Sequence, residues 1–332
     1  MPRIPDHLLD VAIYLYPSAD AARNGEQVGG TGFLAGFYTN GQTLLHLYAV
    51  TCAHVIADGC PVIRINTRDD KWDIIEIEQA DWLQDVSGTD LAVCPIQLSD
   101  QHRFGFVGID DFLDHQNISE FAIGPGDDVF MVGRFINHEG KQQNRPTLRF
   151  GNISMMPWEL IRGWQGVPQE SFLVDMRSRT GFSGSPVFVY IAPTDIRLGV
   201  EKWTSQQAST FYGPWLLGVD WGHIPIYSKV LGPKIDSYGN RLPVDASWDV
   251  PVMSGVCGVI PAWKLTKLLL EDADLNAQRS EKIEAARKKG DAVLDSASGA
   301  KPPTTDENPR HKEDFNSLLD AAVKGPQSDD QT

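Results

Sequence analysis

Gly181-Phe182-Ser183-Gly184-Ser185-Pro186 closes a loop and runs straight into the apolar strand Val187-Phe188-Val189-Tyr190. A serine between two glycines on a sharp turn presents its hydroxyl and the neighbouring N–H groups on the same side. A hydroxyl is a poor nucleophile without a base beside it, and the oxyanion formed on attack needs donors already in place. The amides of Gly181 and Ser183 are the candidate donors. A fold that uses this turn must bring a base and an orienting group to it from elsewhere, and no bulk property of the sequence constrains the architecture as tightly.

Two upstream pieces meet that need. Leu47-Tyr48-Ala49-Val50-Thr51-Cys52-Ala53-His54-Val55-Ile56 reads as an apolar strand that reaches a histidine. Ser87-Gly88-Thr89-Asp90-Leu91-Ala92-Val93 reads as a polar turn that hands an aspartate into another strand. The order His, Asp, Ser is the chymotrypsin order; α/β-hydrolases run Ser, Asp, His and subtilisins Asp, His, Ser. Thr51-Cys52-Ala53-His54 resembles the Thr-Ala-Ala-His of trypsin-like serine peptidases, and Thr89-Asp90-Leu91-Ala92-Val93 their Asp-Ile-Ala-Leu. Gly181 to Pro186 resembles Gly-Asp-Ser-Gly-Gly-Pro, and Gly218-Val219-Asp220-Trp221-Gly222 is similar to the Val-Ser-Trp-Gly strand along which that family lays its substrate.

The resemblance spans roughly residues 8–270. It implies an all-β, chymotrypsin-like double six-stranded β-barrel with a C-terminal helix, and a serine endopeptidase that works through an acyl-enzyme. Ser183 would be the nucleophile, His54 the general base and then acid, Asp90 the orienting group, and the amides of Gly181 and Ser183 the oxyanion hole. Asp81 and Asp85 are competitors for the Asp90 role, and Ser185 for that of Ser183. The rival from another class is a non-catalytic binding or regulatory module on the same barrel, using its long loops and tail for a partner; the presence of all three triad residues favours the enzyme.

Arg177, Asp220, Trp221 and Gly222 are the candidate substrate-binding residues. Arg177 lies where the family's primary specificity residue sits and would select acidic side chains, or else it pairs internally with Asp175 or Asp220. Asp220 stands where the family commonly has serine. A carboxylate aimed at Asp90 would add like-charge repulsion, so Asp220 turns away, pairs with a cation such as Arg177, or shares a proton. Trp221 is a pocket wall or a core tryptophan. Phe182 replaces the acid that receives a freed N-terminus in secreted relatives, so activation by that route is not expected.

Composition sets the partners. With 44 acidic and 29 basic residues the formal net charge is −15, which disfavours nucleic acid and anionic membranes as partners; a polypeptide substrate is what the resemblance implies. No stretch approaches the ~18–20 apolar residues of a membrane span, and Met1 to Asp10 is too polar for a secretory signal. Cys52, Cys60, Cys94 and Cys257 have no dense spacing and no C-x-x-C, so reduced thiols in a cytoplasm are expected, with a Cys52–Cys60 bridge as the alternative. The remaining histidines show no ligand spacing and Gly29-Gly30-Thr31-Gly32 lacks the residues of a phosphate loop, so neither a metal nor a cofactor is expected.

Short apolar runs between turn residues put a first barrel at about 11–98, a crossover at 99–124 and a second barrel at about 125–262. Asn40-Gly41 reads as a hairpin turn, Val62 to Ile65 and Ile74 to Ile77 as half-buried strands, Ala192 to Pro214 as an elaborated loop, and 232–255 as irregular. Pro261 opens a helix over Trp263 to Leu270, and Ser280 to Lys289 reads as another. The rest of the 271–332 tail reads as disordered, apart from a short amphipathic helix at 313–323. There Phe315, Leu318, Leu319, Ala322 and Val323 form one apolar stripe, free to dock on a protein partner or on its own domain.

Overall fold

The computed structural model describes residues 3–281 except 28, 39–43, 135–142, 164–165, 177–180, 193–211, 236–240 and 244–247. Arg177, the Asn40-Gly41 turn, most of the Ala192–Pro214 loop, nearly all of 280–289 and the 313–323 stripe lie outside the described residues.

The first sheet is built from β1 (Ala12–Tyr16), β2 (Gly30–Tyr38), β3 (Leu44–Thr51), β4 (Val62–Asn66), β5 (Trp72–Ile75), β6 (Leu83–Gln84), β7 (Ala92–Ile96) and β8 (Val107–Gly108). Helix α1 (Ala19–Asn24) lies between β1 and β2, and the single turn α2 (Ala53–Ala57) follows β3. The strand order is β5-β4-β1-β2-β3-β7-β6, with β8 parallel to β2. The sheet curls as a half-barrel, with β5 and β6 at its two ends rather than paired to close a ring. After α3 (His115–Glu120) come β9 (Asp128–Gly133), β10 (Thr147–Met155), the small hairpin β11 (Ile161–Arg162) and β12 (Pro168–Gln169), β13 (Phe172–Asp175), β14 (Pro186–Ile191) and β15 (Tyr212–Lys229). A second hairpin, β16 (Leu231–Ile235) and β17 (Arg241–Pro243), precedes β18 (Asp249–Pro261) and α4 (Ala262–Glu271). Six of these strands close a barrel in the order β10-β13-β18-β15-β14-β9.

The all-β expectation holds, and the closed ring explains itself: a barrel leaves no unpaired edge. One apolar cluster runs through both halves, from Leu34, Tyr48 and Val93 to Phe130, Phe188, Val219 and Leu265. The second barrel has a further core of its own around Val129, Met131, Phe172 and Leu217. Helix α4 buries Leu265, Leu268 and Leu269, and its N-cap is Pro261.

Three readings change. Strand β3 stops at Thr51, and His54 stands on the α2 turn instead of at a strand end. The segment read as irregular at 232–255 is ordered at its end, where β18 starts at Asp249 and pairs with β15 as a long two-stranded arm. Gly, Pro and Asp hid that strand because the arm is exposed and lacks the apolar alternation that burial imposes on a strand. The β4 residues are buried on both faces, not one. The second face is covered where Tyr14 and Tyr16 pack with the guanidinium of Arg64, 5.9 and 5.0 Å from the ring centres.

Asn144 ties the β9–β10 connection to the first sheet. It accepts from Arg64 Nε at 2.8 Å, donates through Nδ2 to the Arg64 carbonyl at 2.7 Å, and exchanges two further bonds with Asn66. Each buried bond nets about 1 kcal/mol, and a stranded partner costs more. Asn144→Ala is therefore expected to lose about 3 kcal/mol in urea denaturation; a loss under about 1 kcal/mol would show that the latch is dispensable.

Candidate active site

Asp90 is 2% exposed at the entry to β7. Its carboxylate takes two bonds from one residue: Oδ1 accepts from the His54 backbone N–H at 2.9 Å and Oδ2 lies 2.7 Å from His54 Nδ1. The α2 turn makes this possible, because it sets the amide and ring of His54 toward the same carboxylate. With Nδ1–H given to Asp90, the lone pair of the neutral imidazole is on Nε2. Asp81 instead closes a capping box with Glu78, and Asp85 binds Ser87, so neither competes for the imidazole.

The serine loop is held by the start of β2. Thr31 N–H donates to the Ser183 carbonyl at 2.9 Å, and Thr31 Oγ1 donates to the Gly181 carbonyl at 2.7 Å. The Thr31 carbonyl accepts from Thr51 Oγ1 at 2.8 Å, so strand β3, which leads to His54, is tied to the same point. At Gly30 an added Cβ would lie 2.8 Å from Val55 and 3.0 Å from the Ser183 carbonyl. The histidine turn and the serine loop thus approach each other across a single glycine. With their carbonyls engaged, Gly181 and Ser183 leave their amides without a protein acceptor among the described residues, which is the state an oxyanion hole requires. Ser185 is fully buried, and its own amide donates to the Phe182 carbonyl at 2.8 Å, whereas Ser183 is only half-buried and is the less enclosed of the two serines.

Strand β15 passes beside Ser183. Ser183 Oγ lies 3.5 Å from the Trp221 carbonyl, and Gly222 is close enough that an added Cβ would sit 4.0 Å from that oxygen. Trp221 is partly exposed and anchors its indole N–H on Ser171 Oγ at 2.9 Å. Asp220 is fully buried. Its backbone N–H donates to the Ser185 carbonyl, its carbonyl accepts from Gly184 N–H and Cys52 Sγ, and its carboxylate takes a bond from the Cys257 thiol. The side chain is closed off from solvent, so what this position offers a substrate is the strand that carries it. Phe182 is buried in the second barrel's core with the Arg149 guanidinium 5.5 Å from its ring.

Cys52, His54 and Asp90 bring a thiol, an imidazole and a carboxylate within 4.8 Å of one another. That set has metal-ligand chemistry, but Nδ1 and Oδ2 already share a hydrogen bond too short to admit an ion, and Cys52 spends its thiol on the Asp220 carbonyl. All four cysteines are free and buried. Burial, and then the Asp90 and Asp220 charges, push the Cys52 thiol well above its ordinary range. Burial, and then Asp220, do the same to Cys257, and burial takes Cys94 up to about 12. The folded thiols stay protonated at a pH where unfolded ones, near 9.0, ionise. Their stabilising effect is complete below pH 9 and is lost as pH rises from there, by at most about 1.4 kcal/mol per pH unit for each such thiol. Thermal melts should show stability falling between pH 9 and 10.5, with a shallower fall in Cys52→Ala; parallel profiles for both proteins would refute this.

Thr31, Thr51, Cys257 and Gln169, whose Oε1 accepts from the Asp90 amide at 3.4 Å, were not legible as site residues. Only Thr51 carried a signal, as the first residue of the histidine motif.

Residues 30–190 match the model of the trypsin-like peptidase domain. No curated protein matches the chain. Among solved structures, the HtrA-type protease AlgW with a decapeptide is similar at 16% identity and a TM-score of 0.40, covering 78% of this chain and 52% of that one. Deg5 is similar at 17% identity and a TM-score of 0.37, covering 65% of this chain and 80% of that one. The chain thus spans about half the length of AlgW. The motif order and the matched stretch agree: residues 30–190 of this chain form a trypsin-like peptidase domain.

Proposed function

We propose that the protein is a serine endopeptidase with His54, Asp90 and Ser183 as its triad. The observation that carries this reading is the double engagement of buried Asp90 with both the amide and the Nδ1 of His54. That pairing fixes the tautomer needed for Nε2 to accept a proton. Ser183 Oγ attacks the peptide carbonyl carbon as its proton passes to His54 Nε2, and the carbonyl electron pair moves onto oxygen. The amides of Gly181 and Ser183 bind that oxyanion. Collapse expels the amine, which takes the proton from His54, and leaves an acyl-Ser183 ester. Water, deprotonated by the same nitrogen, then releases the acid and restores the hydroxyl. We further propose, from its free buried thiols, that the chain works in a reducing compartment such as the cytoplasm.

A fluorophosphonate probe reacts only with an activated serine. It is expected to label the wild-type protein at Ser183, shown by mapping the modified peptide, and to spare His54→Ala. Absence of labelling in the folded wild type would favour the binding-module reading. Cleavage profiling on a denatured proteome addresses Arg177, where enrichment of acidic residues before the cut is the outcome that supports a specificity role.

A further inference from the structure

The outer parts of β15 and β18 form a two-stranded arm, paired from Pro225 opposite Met253 to Lys229 opposite Asp249. Directly opposed residues of an antiparallel pair share a face, and successive residues along a strand alternate between faces. One face therefore carries Ile226, Val252 and Val250 with Ser228, and the other carries Pro225, Met253, Tyr227 and Pro251. Both meet water. Ile226 is 52% and Tyr227 68% exposed, and Val250, Val252 and Met253 are exposed as well. Leu231 and Trp248, which flank the outer end, are exposed too. A two-stranded ribbon is marginal by itself, and an antiparallel sheet commonly leaves only one face wet.

Size and charge narrow down what covers such a surface. Together these side chains expose on the order of 800 Å², more than the largest apolar patch of a typical monomer and close to what one partner gives a standard-size interface. The whole chain carries a formal net charge of −15. Residues 221–229 and 249–255, by contrast, hold one lysine and one aspartate, Lys229 and Asp249, and these pair at 3.0 Å. Copies of so acidic a chain repel one another in general. On the neutral arm they can meet without that penalty.

We propose that the arm is a self-association surface, covered by the arm of a second copy of this chain. About a two-fold axis the same patch serves both sides, so Ile226, Val250 and Val252 would pack on the same three residues of the other copy. Their face holds no charged group, whereas the opposite face ends in the Lys229–Asp249 pair. At ~3.4 Å per residue Ile226 stands about 17 Å along β15 from Trp221. The Trp221 carbonyl lies 3.5 Å from Ser183 Oγ, so the contact would brace the strand that passes beside the serine. This association goes beyond the peptidase reading and needs no cleavage to be tested.

Sedimentation velocity on the full-length protein should show a dimer at about 50 μM. The dimer fraction should rise between about 0.05 and 0.5 M salt, because salt screens the like charges and leaves an apolar contact in place. The double variant Ile226→Lys, Val252→Lys is expected to weaken association at least about 100-fold with an unchanged circular dichroism spectrum. Trp158→Lys with Leu160→Lys alters another exposed apolar pair, outside the arm, and should leave the dimer intact. Should the arm variant misfold, Ile226→Cys decides. All four native cysteines are buried, so a short bismaleimide should join two copies through position 226 and fail to do so in Trp158→Cys. A monomer at about 50 μM, a dimer that survives the arm substitutions, or no cross-link at position 226 would overturn the proposal. So would a monomer in which the arm substitutions slow cleavage of a protein substrate, which would assign the arm to the substrate.

Discussion

Ser183→Ala should lower kcat on a protein substrate by about 10⁶-fold while leaving the urea midpoint unchanged. The size of the loss follows from the way the triad acts as one unit. Without the hydroxyl there is no acyl-enzyme, and His54 and Asp90 are left poised for a step that no longer exists. His54→Ala should fall by a similar factor, and the double variant should be hardly slower than either single one, because the second change removes nothing still in use. Residual cleavage would come from the amides of Gly181 and Ser183, which survive both substitutions as backbone groups. The measurement is steady-state hydrolysis of a fluorescent casein, with circular dichroism as the control for folding. Cleavage by Ser183→Ala at the wild-type rate would end the proposed mechanism, and strictly multiplicative losses would show that serine and histidine act independently.

Gly184→Ala is the second large effect, and it acts through shape. Gly184 has φ +88, in the region an L side chain rarely adopts, and an added Cβ would collide with the Thr31 carbonyl and the Thr51 hydroxyl. Both belong to fully buried residues. The backbone strain alone is worth about 1–2 kcal/mol and the overpacking a further 1–3 kcal/mol. A loss of about 3 kcal/mol in stability is expected, with kcat falling at least about 10²-fold because the loop that places the oxyanion donors must shift. Gly59 supplies the control. Its φ is +82 but an added Cβ there meets nothing within 4 Å, so Gly59→Ala should cost only the strain and spare activity. Equal costs at the two glycines would show that the close approach at Gly184 does not matter.

The candidate residues of the site were easier to read than their scaffolding, and the residues show why. His54, Asp90 and Ser183 each sit in a short run whose composition the proposed reaction demands, so the text alone could single them out as candidates. Thr31 does its work through its own backbone and hydroxyl on a loop 150 residues away, and nothing in Gly29-Gly30-Thr31-Gly32 announces such a distant partner. Asp220 was read through three alternatives; the structure adds Cys257, whose strand neighbour is known only once β15 and β18 are paired. The barrel strands announced themselves by burial, whereas the outer β15–β18 arm, wet on both faces, gave no periodic signal. His54 moved from strand end to helical turn because three residues suffice for the change, and propensity cannot resolve so short a step.

The hold of Thr31 on the nucleophile loop has a consequence for how such a chain comes off the ribosome. The strand that shapes the loop is made early and the loop itself late, so on the proposed mechanism the pocket for the oxyanion is finished only when the two halves dock. A truncated or half-unravelled polypeptide would carry the serine without the setting that the mechanism calls for. Reactivity would thereby be coupled to completed assembly, a safeguard written into the order of the strands.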